Sequence, residues 1–441
     1  MKIQLQLSKY FTFGILCIFL ACGSERNSQE VKLNVHHLIK ANDELLDIAM
    51  VDGFSPPVAS RVYVYPHIAH HIALSAFYPN ELHSLIGTLN ELDSVKTPEP
   101  TGAHPELSAL LSFCKMGKKV VFSEYRMDQL ADYYKDVARQ LKLDEKVIKK
   151  SEVFAEELVN GLSDWVNSDH YIHTRTLDRF TSTKRPGKWV ETPPDYLSGL
   201  EPHWNKIRPM IIDTQDNYLD IYPPEFDRST QSAFYKMVKQ VYDQSQNLDS
   251  AMIKTALYWD DNPNITEHRG HLVTMVHKIS PPGHWLNIIS QIVGKENTNY
   301  VESAGIYTYC AIAMFDAIIS CWDVKYKTNL VRPITYIQEN IDVKWRPLIQ
   351  TPPFPEFTSG HSVISASAAT VLDHFFGDNY SFIDSTEVIF GLEARSFDSF
   401  QQAAWEVSLS RFYAGIHYWQ GIEEGNKQGK LIGKRVLELL K

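Results

Sequence analysis

An all-α fold follows from three features of this 441-residue chain. Apolar residues recur at helical spacing in one segment after another, and no comparable series of alternating strands appears. With 44% hydrophobic and 12% aromatic residues, the chain can also bury a large core.

Taken in order, the N-terminus reads Met1-Lys2, then Lys9, then an apolar run over 11–21 that closes on Leu20-Ala21. A basic start, a short apolar stretch and small residues at its end make residues 1–21 an export signal, too short to span a bilayer. Cys22 directly follows Ala21, the position of a lipid-attachment cysteine, although Phe19 departs from the usual aliphatic residue. The expectation is an exported protein that is periplasmic, anchored to the outer membrane through Cys22, or secreted. No later apolar run reads as long enough for a transmembrane helix.

Helical stripes follow near 35–50, 66–93, 151–166, 231–258, 301–322 and 360–376, with Leu130, Tyr134, Val137 and Leu141 marking another. The reading is helical bundles with long connections. Residues 30–230 would supply N-terminal helices and a loop packed on the core, and residues 231–441 the core, with a binding site at one end of the C-terminal bundle. Residues 168–230 break the pattern with Arg185-Pro186-Gly187-Lys188-Trp189, Thr192-Pro193-Pro194, Glu201-Pro202-His203-Trp204 and Tyr222-Pro223-Pro224. A connection of this length is either a lid over a cleft or a packed strap. Gly421, Gly425, Gly429 and Gly433 recur every fourth residue and strip one helix face for close packing.

The net charge is −10, and −12 once residues 1–21, with Lys2 and Lys9 and no acid, are set aside. An acidic body argues against nucleic acid and anionic membranes as partners, so an anionic ligand needs a local basic cluster. Cys114, Cys310 and Cys321 form no Cys-x-x-Cys pair and read as buried small hydrophobes, or as one disulfide, and not as a zinc site.

The C-terminal third supplies that basic cluster: Lys325-x6-Arg332-Pro333, then Phe357-Thr358-Ser359-Gly360-His361, then Ser410-Arg411-x5-His417. Two guanidinium forks, an ammonium, the Ser359 hydroxyl and the backbone N–H groups where a helix starts at Gly360 suit a tetrahedral oxyanion. Two imidazoles divide the remaining work, His417 bonding the central atom and His361 moving protons at an axial oxygen.

This pattern resembles the superfamily shared by type-2 phosphatidic acid phosphatases, bacterial acid phosphatases and vanadium haloperoxidases. The resemblance implies that Lys325, Arg332, Ser359, Gly360, His361, Arg411 and His417 bind phosphate or its isostere vanadate. It implies vanadium bonded to His417, with His361, His417 and Lys325 as the catalytic residues. One position departs: the family usually has an aspartate four residues after the last histidine, where this chain has Gly421. Gln420, Glu423 or Glu424 are the candidates to orient His417 instead.

Trp322 and Phe354 look like the aromatic residues that vanadium chloroperoxidases place beside the halide, although two core aromatics would read the same way. The upstream Pro/Trp runs and Leu257-Tyr258-Trp259-Asp260-Asp261 resemble bacterial haloperoxidase-like proteins. Asp260 or Asp261 would pair with Arg332 or Arg411, or else cap a helix. The overall style is similar to iodide-specific vanadium peroxidases of marine bacteria. That resemblance implies a vanadate cofactor, with hydrogen peroxide and iodide, or also bromide, as substrates. The rival readings are a secreted acid phosphatase working through a phosphohistidine, and a surface lipoprotein that binds oxyanions without turnover.

Overall fold

Asn299 and Asn329 bracket the longest helix among the described residues, and much of the fold packs against it. The computed structural model describes residues 33–93, 95–213, 218, 222–263, 265–269 and 271–439. The export signal and Cys22 fall outside the described residues.

In chain order the helices are α1 (Val35–Val51), α2 (Pro56–Ser75), α3 (Pro105–Lys118), α4 (Glu124–Gln140), α5 (Glu145–Asn167), α6 (Tyr171–Thr174), α7 (Ala233–Ser245), α8 (Ser250–Tyr258), α9 (Pro281–Glu296), α10 (Tyr300–Thr328), α11 (Pro333–Asn340), α12 (Gly360–Phe376), α13 (Phe400–Tyr413) and α14 (Trp419–Leu439). Two antiparallel strand pairs, β1 (Ile265–Arg269) with β2 (Leu272–Val276) and β3 (Phe382–Asp384) with β4 (Arg395–Phe397), and two short 3-10 turns, Trp204–Lys206 and Thr386–Phe390, complete the described set. The all-α reading therefore holds.

Asn299 caps α10 by accepting a hydrogen bond from the Val301 N–H at 2.8 Å, and Asn329 ends it at φ 49°, a conformation asparagine tolerates. By length and composition α10 passes the test for a membrane span, contrary to the sequence expectation, but 89% of that stretch is buried inside the protein. It is a core helix. Helices α2 and α12 lie along it, and α14 lies along both α12 and α10.

The stripe read near 66–93 is corrected. Helix α2 runs from Pro56 to Ser75, and turns follow. All of its residues are buried, so no solvated face marks where it begins. Leu82, Leu85, Leu89 and Leu92 keep a helix-like spacing but enter the core from those turns. The stripe at 231–258 is two helices, α7 and α8.

The glycine series does pack. A Cβ on Gly425 would stand 3.0 Å from the Ser359 carbonyl oxygen, and one on Gly433 2.8 Å from that of Ser367, with Gly429 closer still to Val363. Helix α14 therefore rests directly on the backbone of α12, the helix that starts at the Ser-Gly-His motif. The described residues of segment 168–230 are largely irregular, with Trp189 and Trp204 fully buried. Lys188 bridges Leu330, so this strap lies beside the residues leading into Arg332. Cys114, Cys310 and Cys321 are buried free thiols, and the disulfide alternative fails.

Candidate active site

Four helix ends deliver the three motifs to one place. Lys325 lies in the last turn of α10, and Arg332 is the N-cap of α11, where Pro333 at the first helical position fixes the turn. Ser359 caps α12, accepting from the Ser362 N–H at 3.4 Å, so Gly360 and His361 open that helix with backbone N–H groups lacking intrahelical acceptors. Arg411 is in the last turn of α13, and His417 is in the short connection to α14.

The side chains meet in pairs. Arg332 Nη1 donates to His417 Nε2 at 3.2 Å, and Arg411 Nη1 to His361 Nε2 at 3.4 Å. Backbone carbonyls steer both guanidinium groups: Arg332 donates to Phe354 and Ile416, each at 2.8 Å, and Arg411 to Trp259. Lys325, Arg332, Ser359 and Arg411 are fully buried and His417 nearly so, whereas His361 is partly exposed. His361 therefore stands on the solvent side of the cage.

Lys325 donates to the carbonyls of Pro355 (3.1 Å), Glu356 (3.0 Å) and Thr358. It serves the cage as a buried charge and as the anchor of the loop entering Ser359. Burial pushes its ammonium down to about 8, with Arg332 acting in the same direction, and pushes the Arg332 guanidinium down to about 10. Desolvation, together with these cations, holds both His361 and His417 well below the ordinary imidazole value.

The orienting group behind His417 is Glu356. Its Oε1 lies 2.7 Å from His417 Nδ1 and accepts the Tyr418 N–H at 3.1 Å. None of the three expected residues does this. Gln420 reaches the Tyr222 carbonyl, Glu424 pairs with Lys427 at 2.8 Å, and Glu423 lies 3.9 Å from Lys427. Glu356 was missed although it sits three residues before Ser359; an acid within the motif's own loop, opposite a glycine where the family has aspartate, was the available signal. Burial raises its carboxyl to about 7 against the opposing pull of Arg332 and Lys325.

Of the two aspartates, Asp260 is the one that pairs with an arginine of the site. Asp260 pairs with Arg411 at 3.8 Å and with Lys278 at 3.1 Å, while Asp261 pairs with His284 at 3.0 Å and with neither arginine. Trp322 and Phe354 meet with ring centroids 5.1 Å apart, and Lys325 Nζ lies 5.8 and 5.0 Å from them. The Leu200 carbonyl of the strap accepts the Trp322 indole N–H at 3.2 Å, so the strap braces this aromatic wall.

A tetrahedral oxyanion fits these residues. Arg332 Nη2 and Arg411 Nε are buried hydrogen-bond donors with no partner among the described protein groups, a costly arrangement that an anion between the two arginines would relieve. Over 92% of its length the chain aligns, at 40% identity and TM-score 0.87, with 97% of a crystal structure of a bacterial vanadium-dependent iodoperoxidase. The chain belongs to the vanadium-dependent haloperoxidases. Residues 305–441 of this haloperoxidase match the family model described as the second helical-bundle domain of vanadium chloroperoxidase. A bacterial vanadium-dependent chloroperoxidase in its holo form shares the fold at 16% identity and TM-score 0.61, over 88% of this chain and 94% of that one. No curated protein sequence matches the haloperoxidase.

Proposed function

We propose that this haloperoxidase uses vanadate to oxidise iodide, and also bromide, with hydrogen peroxide, giving hypohalous acid. The observation that carries the reading is the pair of buried, unpartnered guanidinium donors beside two imidazoles whose Nε2 atoms both act as acceptors. When bound, vanadate supplies Lewis-acid activation of peroxide toward halide.

The protein's part follows from the hydrogen bonds. Glu356 Oε1 accepts two bonds, so His417 Nδ1 carries the proton and Nε2 keeps its lone pair. An arginine can only donate, which fixes the same tautomer from the other side. His417 is thus held ready to ligate the central atom through Nε2. Arg332, Arg411, the Ser359 hydroxyl and the N–H of Gly360 would hold the oxygens of the bound group, with Lys325 adding charge. His361, on the solvent side, would be the residue to take up and return a proton there. Trp322 and Phe354 give the halide a part-desolvated wall beside a cation, which favours large, weakly hydrated iodide. The export-signal pattern of residues 1–21 supports a location outside the cytoplasm, with the enzyme tethered through Cys22 or released.

The test is oxidation of iodide, bromide and chloride, each assayed separately on protein loaded with orthovanadate and given peroxide, beside a phosphomonoester control. Vanadate-dependent iodide oxidation that disappears in His417→Ala supports the reading. Phosphate release with no halide oxidation overturns it in favour of phosphatase chemistry.

A further inference from the structure

Behind Arg411, a second cluster of ionisable groups is buried where no anion could be held. Asp261, in the connection after α8, and His284, in the first turn of α9, meet Asp384 at the end of β3 and Glu387 in the short turn that follows. None of the four is more than 2% exposed. His284 Nε2 lies 2.8 Å from Asp384, and its Nδ1 lies 3.0 Å from Asp261 and 3.9 Å from Glu387 Oε1. The walls are aromatic, with the Trp259 ring 4.6 Å and the Tyr258 ring 6.0 Å from the imidazole.

Three carboxylates converge on one imidazole, and its two ring nitrogens cannot serve all three. Glu387 Oε1 is buried with no hydrogen-bond donor, although it points at the His284 ring. The nearby lysine, Lys278, is engaged with the carboxylate and the backbone carbonyl of Asp260. A buried carboxylate oxygen without a donor costs folding free energy unless a cation meets it.

We propose that Asp261, His284 and Glu387 bind a divalent transition-metal ion of the zinc or manganese type, separate from the oxyanion cage. One oxygen or nitrogen from each lies within 4.8 Å of the others. Ligands about 2.1 Å from a common ion stand ~3–4 Å apart, which the 3.0 and 3.9 Å separations match. With an ion bound, Asp384 would accept the Nε2–H of His284, and Nδ1 would give up its contact with Asp261 to face the ion, the carboxylate–histidine–metal arrangement. One nitrogen and two carboxylates suit zinc or manganese better than calcium, which takes oxygen ligands alone. The ion would fasten α8 and α9 to the β3 segment. It would thereby fix Trp259 and Asp260, whose carbonyl and carboxylate hold Arg411.

The experiment strips the full-length protein with a chelator, reloads it with Zn²⁺ or Mn²⁺, and reads bound metal by elemental analysis and Tm by calorimetry. The expected result is about one ion per chain and a Tm several degrees above the stripped protein. Glu387→Gln and Asp261→Asn should lower metal content roughly tenfold and abolish the Tm response. Reloaded wild-type protein that holds less than roughly a tenth of an ion per chain, or variants that hold as much as wild type, would overturn the proposal. The stripping and reloading of wild type needs no variant to fold.

Discussion

Glu356 occupies the space that a side chain on Gly421 would need. A Cβ at position 421 would stand 3.1 Å from the Glu356 carboxyl carbon and nearer still to Oε1. The acid that orients His417 can therefore come from one position or the other, and in this chain it comes from the loop before α12. That Oε1 also takes the Tyr418 N–H, so one carboxylate holds His417 and the start of α14 together.

Glu356→Ala leaves His417 Nδ1 without an acceptor, and halide oxidation should fall roughly 10- to 100-fold with weakened vanadate affinity. Adding Gly421→Asp to that variant returns a carboxylate from the other side and should recover part of the loss. Gly421→Asp alone, which collides with Glu356, should be worse than wild type. A double variant no better than Glu356→Ala, measured by vanadate titration and initial rates, would refute the exchange.

Arg332 is held by two carbonyls through Nε and Nη1, which leaves Nη2 free for an anion. A lysine cannot reproduce this fork with a single ammonium. Arg332→Lys should therefore lose roughly 10- to 100-fold in vanadate affinity despite keeping the charge. Near-wild-type affinity by equilibrium dialysis would show that charge alone suffices.

Gly429 lies against the backbone of α12, and the added Cβ of Gly429→Ala would strike the Val363 carbonyl and Ser367 N, the latter at 3.0 Å. Helix backbone cannot yield as a flexible side chain does, so the cost should be roughly 3 kcal/mol, read as a lower midpoint in urea. Gly53, with φ +69° and nothing within 4 Å, gives a contrasting variant whose cost comes from backbone strain and not from collision.

Asp316, fully buried in α10, accepts the N–H groups of Met210, Ile211 and Ile212 at 2.7, 2.8 and 3.0 Å and so ties the strap to the core. Burial outweighs these bonds and pushes its carboxyl from 3.8 up to about 6. The folded state then holds the proton more tightly than the unfolded chain. This contribution, about 3 kcal/mol, is complete below about pH 4 and is lost as pH rises through about 6. Asp316→Asn has no such proton, so the stability of wild type relative to the variant should fall between about pH 4 and pH 7. Urea unfolding across that range checks the sign; a difference that is flat or rises with pH contradicts it.

The sequence by itself determined the fold class, because a helix with one wet face writes its period into the chain, as α4, α5 and α7 do. It also named seven residues that the fold brings to one place, since each motif lies at or beside a helix end, with a local Ser-Gly or Arg-Pro signature in two of the three. Only the tertiary structure decided which acid stands behind His417, which aspartate faces Arg411, and where α2 begins. Glu356 and His417 are 61 residues apart, and His284 meets Asp384 across 100 residues of chain. A contact between remote segments leaves no periodic trace, and a helix buried on every side has no polar stripe to show its start, so these features exist only once the chain has folded.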